Sequence, residues 1–136
     1  MGYGRGDGYR AGIAMMALAW KLFGSGLNSL QVAAIGNDVA SGLTATGTNQ
    51  ATAYAMTAAD NEFTTVADGS GARLYAGTPG DSQTVYNGGA NPITVYPPTG
   101  SQINGLGTNN EVALPSATAC LFKCVSSTRW IGILSR

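Results

Sequence analysis

Histidine is absent from this sequence of 136 residues. Acid–base and nucleophilic catalysis draw on that side chain more than on any other, so the commonest catalytic constellations are missing. Charge is scarce too: 10% of the residues are charged, where an ordinary soluble domain has about 25%. Seven Lys plus Arg offset seven Asp plus Glu. Nucleic-acid binding needs a basic patch to displace phosphate counterions, and here the cations are scattered. Arg5, Arg10 and Lys21 make only a thin basic stretch, with Asp7 among them. A membrane helix needs about 20 consecutive apolar residues, and no run of that length is present. Neither a nucleic-acid partner nor a membrane is expected.

Cysteine occurs twice, at Cys120 and Cys124, inside what reads as a strand. Residues four apart in a strand share a face but sit about 13 Å apart, whereas a disulfide requires Cα atoms within about 7 Å. The spacing therefore predicts free thiols that act as small core residues, which suits assembly in a reducing cytoplasm. A Cys-x-x-x-Cys metal site has no histidine to complete it, so neither a metal nor a cofactor is expected.

Enough apolar material is present to fold: 44% of the residues are hydrophobic, and a chain of this length buries roughly two-thirds of its unfolded surface. A neutral, charge-poor surface suits a protein packed against neighbours rather than one kept apart by its net charge.

Residues 1–10 hold four glycines and little that could form a core, so they read as an arm that orders against something else. Arg5-Gly6-Asp7 matches an integrin-binding tripeptide, a match too short to carry weight. Residues 11–20 are almost wholly apolar behind Arg5 and Arg10 and mimic a secretory signal. Ile13, Met16, Ala17, Trp20 and Phe23 recur at helical spacing ahead of Gly24, which favours a short helix. Tyr3, Arg5, Tyr9, Arg10, Met16, Trp20 and Phe23 are the candidate contacts with a partner or a sister subunit.

From residue 30 onward the chain reads as short strands separated by turn signals. Strands are expected at 30–35, once or twice within 42–56, and at 62–67 and 73–76. Residues 83–86 and 93–96 read as a hairpin around the loop 87–92. Further strands fall at 111–114, 118–126 and 128–134. Cys120, Phe122 and Cys124 share one face of the penultimate strand, Leu121 and Lys123 the other. Phe63, Val85, Val95, Phe122 and Trp130 are the candidate core. Twenty glycines fit many tight turns, and no repeat of constant period is visible. The expected fold is all-β, a jelly-roll-like β-sandwich over residues 27–136, preceded by an arm and short apolar helix over 1–26.

Candidate chemistry is sparse. Asp60 and Glu62 can share a strand face as a carboxylate pair, but solvated turn positions account for them better. Gly69-Ser70-Gly71 lacks the Lys-Ser/Thr and the helix that a phosphate loop requires. Tyr75, Tyr86 and Tyr96 are candidates for lining a carbohydrate or peptide surface, and half-exposed strand tyrosines also serve as plain interface residues. The chain is not expected to be an enzyme.

In the carboxyl half, Val85-Tyr86-Asn87-Gly88-Gly89 is followed by Ile93-Thr94-Val95-Tyr96-Pro97-Pro98-Thr99-Gly100. Ile103-Asn104-Gly105, Phe122-Lys123-Cys124 and Trp130 come after them. This pattern, spanning 83–134, resembles the head decoration (cement) proteins of tailed bacteriophages. The resemblance implies a jelly-roll-like domain in a non-enzymatic virion protein on the outer capsid surface, assembled in the host cytoplasm. There it would bridge major capsid proteins as a dimer or trimer. A viral fibre or receptor-binding module that recognises a host glycan through Tyr86 or Tyr96 is the alternative.

Overall fold

A computed structural model describes residues 38–135. The expected strand at 30–35, the arm and helix, and the boundary between 26 and 27 lie outside the described residues. Ten strands follow in order: β1 (Val39–Thr44), β2 (Tyr54–Ala55), β3 (Asp60–Thr65), β4 (Gly71–Arg73), β5 (Ser82–Asn87), β6 (Ile93–Tyr96), β7 (Gln102–Ile103), β8 (Val112–Leu114), β9 (Thr118–Ser126) and β10 (Arg129–Leu134). No helix occurs among the described residues.

The chain alternates between two sheets. One has the order β1-β3-β5-β9-β10-β7, the other β2-β4-β6-β8. The first three members of each run parallel. Each pass therefore crosses from one wall to the other and returns one rung along, which makes a parallel β-solenoid of about four turns. The expected jelly-roll sandwich is thereby overturned. In a sandwich built from hairpins, consecutive strands pair with each other. Through β6 the partner of a strand is the strand after next, and sequence neighbours stand on opposite walls; only β9 and β10, at the end of the chain, pair as neighbours.

The loop after β5 shows why. Residues 83–86 and 93–96 do form strands, but β5 and β6 belong to different sheets, so the expected hairpin is a corner. Asn87, fully buried, stitches that corner together. Its amide donates to the carbonyls of Asn91 (2.9 Å) and Leu114 (3.0 Å), and its Oδ1 accepts from the Gly89 N–H at 3.0 Å. Asn91 in turn donates to the Val66 carbonyl of the rung beneath, at 2.9 Å. A Cβ on Gly89 would lie 2.6 Å from Val66 Cγ2, so only glycine lets the two rungs approach this closely. A hairpin satisfies its strands with each other; this corner satisfies its polar groups with a buried side chain and the neighbouring coil.

A repeat does exist, but its length varies. The partner of Val39 is Asp60 and that of Asp60 is Thr84, while Tyr54 pairs with Ala72 and Ala72 with Val95. Coils that differ by several residues show no fixed period in the sequence.

The core fills the space between the walls. Phe63, Val85, Val95, Phe122 and Trp130 are all buried in it, with Met56, Leu74, Ile93, Ile103 and Leu114. Tyr54 stands edge-on to Phe63, with ring centroids 5.5 Å apart. Gln83, also fully buried, bridges to the Tyr75 backbone through both amide atoms, at 2.9 and 3.0 Å.

The parallel run ends in antiparallel pairs. β9 lies antiparallel to β5, β10 antiparallel to β9, and β8 antiparallel to β6. β10 pairs with β7 over two residues only. Beyond them Asn104, with φ at 50°, leaves the strand, and its side chain continues the ladder. Its Oδ1 accepts from the Gly132 N–H at 2.9 Å.

Candidate interaction surfaces

Among the described residues no cluster of three or more His, Cys, Asp or Glu could hold a metal ion. Cys120 and Cys124 are free and buried. Burial pushes the Cys120 thiol up to about 11. Cys124 moves in the same direction, through burial first and the Asp81 carboxylate second. Both are neutral thiols at physiological pH, and neither is poised as a nucleophile.

The three tyrosines do not make one surface. Tyr96 lies inside the coil, its hydroxyl 3.4 Å from the Thr48 carbonyl, and its pKa is raised, by burial first and by Glu111 second. Burial removes it as a glycan platform. Tyr86 is exposed on the outside of β5, and Tyr75 is half-buried in the loop that follows β4. Tyr75 borders an open groove of about 400 Å3 together with Met56, Arg73, Pro98 and Thr99. Arg73 is anchored there, donating to the Gln50 carbonyl at 3.0 Å.

Two apolar surfaces stand out instead. The first is the outer face of the six-stranded sheet. Strict alternation sends Cys120, Phe122 and Cys124 inward from β9 and leaves Leu121, Lys123 and Val125 outside. The register places Leu121 directly beside Ile133 of β10 and beside Thr84 of β5. Leu121 is 39% exposed, Val125 45%, Ile133 60% and Tyr86 40%. Asp60 and Glu62 also point outward here, because the alternate residues Asn61 and Phe63 are buried.

The second surface is the open end of the coil. Leu134 lies on the inner face of β10, opposite Cys120, yet is 48% exposed. It borders a small cavity of about 130 Å3 with Val112, Leu114, Cys120, Phe122 and Gly132. Val112, Gly132 and Leu134 are not fully buried, so the last core layer is left partly open.

The candidate contacts Tyr3, Arg5, Tyr9, Arg10, Met16, Trp20 and Phe23 lie outside the described residues. Sequence reasoning placed Leu121 and Lys123 on the outer face of their strand but passed over Val125, Ile133 and Leu134. Period-two alternation marked Val125. The run Trp130-Ile131-Gly132-Ile133-Leu134 is apolar at almost every position, which hides the face each residue takes.

No family model matches the chain, and neither the curated proteins nor the solved structures contain a match. No helix among the described residues is long and apolar enough to cross a membrane.

Proposed function

We propose that this chain is a non-enzymatic structural protein of a bacteriophage virion, one that decorates the capsid by bridging major capsid proteins. The observation that carries the bridging reading is the pair of separate apolar surfaces, one on the outer wall of the coil and one at its open end. A bridge needs two adhesive faces on a body stiff enough to transmit force between them. Parallel rungs with a continuous buried core make such a body. Exposed apolar patches on an otherwise polar protein mark interaction sites, and low net charge lessens repulsion where many copies crowd together. The virion assignment itself rests on the resemblance over 83–134.

Co-sedimentation of the purified chain with undecorated phage heads tests the reading. Saturable binding near one copy per capsid subunit, or a simple fraction of it, is expected. A folded protein that binds no head would end the capsid assignment. The groove beside Tyr75 and Arg73 favours a second reading, a fibre module for a host glycan; a glycan array without hits removes it.

A further inference from the structure

The dipeptide Asn-Gly occurs twice, at Asn87-Gly88 and Asn104-Gly105. A backbone nitrogen attacks the asparagine amide before it most readily in this setting, because glycine has no Cβ to block the approach. The fold treats the two pairs oppositely. Asn87 is fully buried, and both ends of its carboxamide are hydrogen-bonded. The attacking nitrogen is held as well, the Gly88 N–H donating to the Phe63 carbonyl at 2.8 Å. Asn104 and Gly105 are instead exposed. The Gly105 N–H has no partner among the described residues. A Cβ built on Gly105 would meet nothing closer than Gln102 Oε1, 3.9 Å away. The two residues form the centre of a tight turn, with φ at 50° and 73° and the Leu106 N–H donating to the Ile103 carbonyl at 2.9 Å. Across that turn the Asn104 carboxamide grips β10. Its Oδ1 accepts from the Gly132 N–H at 2.9 Å, while Nδ2 reaches the Gly132 carbonyl at only 3.5 Å. One good bond at a wet edge opens easily.

We propose that Asn104-Gly105 is a self-modification site, at which the folded protein deamidates and thereby frees the edge of β10. The Gly105 nitrogen gives its proton to water or hydroxide and attacks Asn104 Cγ. The new Cγ–N bond closes a succinimide ring, the Cγ–Nδ2 bond breaks, and ammonia leaves with the proton returned. Water then opens the ring. Cleavage of the new bond gives aspartate, and cleavage at the α-carbonyl gives isoaspartate, with the chain running through Cγ. One water is consumed, one ammonia is released and nothing is oxidised. Either product loosens the grip on Gly132. Aspartate sets an oxygen against the Gly132 carbonyl where Nδ2 had pointed. Isoaspartate adds a methylene to the backbone, so the turn from Ile103 to Leu106 no longer closes in register with β10. The Gly132 N–H and carbonyl are then left as a bare strand edge, the kind that pairs with another chain. The inference is independent of what the protein binds.

Peptide mass spectrometry gives the test, on the full chain held folded and, in parallel, unfolded in urea at the same mildly alkaline pH. An isoaspartate-specific methyltransferase scores the product. In the folded protein Asn104 should convert within about 10-fold of its rate in urea, because only an edge contact must open. Asn87 should be slowed by about 100-fold or more, because its amide and the Gly88 nitrogen are released only when the buried corner opens. The converted fraction should keep its circular dichroism and exchange the Gly132 amide faster than fresh protein does. Slowing of Asn104 beyond about 10-fold overturns the proposal, and so does an Asn87 that converts alongside it. Unchanged protection of Gly132 in the converted fraction overturns the freeing of the β10 edge.

Discussion

Gly132 of β10 lies directly across from Phe122 of β9, and a Cβ added to it would stand 3.1 Å from the phenyl ring and 3.2 Å from Cys120 Sγ. The glycine makes room for the Phe122 ring and the Cys120 sulfur. Gly132→Ala asks Phe122 to yield by a few tenths of an ångström, and Gly132→Val asks for more than the layer can give. Gly132→Val should cost about 1–3 kcal/mol through overpacking, with Gly132→Ala milder. Thermal unfolding of the two variants beside the parent checks the order.

Asn87 holds one corner through three hydrogen bonds. Asn87→Ala leaves the Gly89 N–H and the Asn91 and Leu114 carbonyls short of a partner in a buried place. Each unsatisfied buried group costs about 1–3 kcal/mol, with water recovering part of it. A net loss of about 2–4 kcal/mol is expected on that basis, read as a lower urea midpoint with little change in slope.

Cys120 ionises near 11 in the folded protein, while an exposed thiol does so near 8.5. A raised folded value means that the native state binds the proton more tightly. Its contribution is complete below the unfolded value and is lost as pH rises toward 11. Between those limits the parent should lose more stability than Cys120→Ala does, because the two chains differ only at this thiol. Urea midpoints measured across this alkaline range decide it. At mildly alkaline pH neither thiol should react with a disulfide reagent until the protein is unfolded.

Asn104 takes the place of a strand beside β10, accepting from the Gly132 N–H. Asn104→Ala removes that acceptor at an edge that water can reach, so the global cost should be about 1 kcal/mol or less. Hydrogen exchange at the Gly132 amide should rise well above that of its neighbours. Unchanged protection there would show that the β10 edge does not depend on the side chain.

Single strands were legible in the sequence where alternation was clean. Cys120, Phe122 and Cys124 against Leu121 and Lys123 gave both the strand and its inner face, and the position of the thiols excluded a disulfide. Phe63, Val85, Val95 and Trp130 stood out by size and placement. Pairing was not legible, because the turn residues that close a hairpin also turn a coil corner: 87–92 satisfies either description. What decides between them is the environment of Asn87, which reaches Leu114 on another rung. A polar residue in a strand reads as solvent-facing, so Gln83, Asn61 and Asn87 concealed the corners they build. The outer face was half visible. Lys123 and Leu121 announced it, but the facing of Asp60 and Ile133 depends on register, which local pattern does not carry.

The antiparallel closing pair has a consequence for the order in which the protein is made. β5 is covered on its far side by β9, whose Cys120 pairs with Val85, and β9 leaves the ribosome well after β5. Until then the rungs already translated present a bare edge to every neighbouring nascent chain. Synthesis on a crowded message therefore exposes the sequence to mispairing for the time needed to make β6 through β9, and slow codons in that stretch would lengthen the hazard.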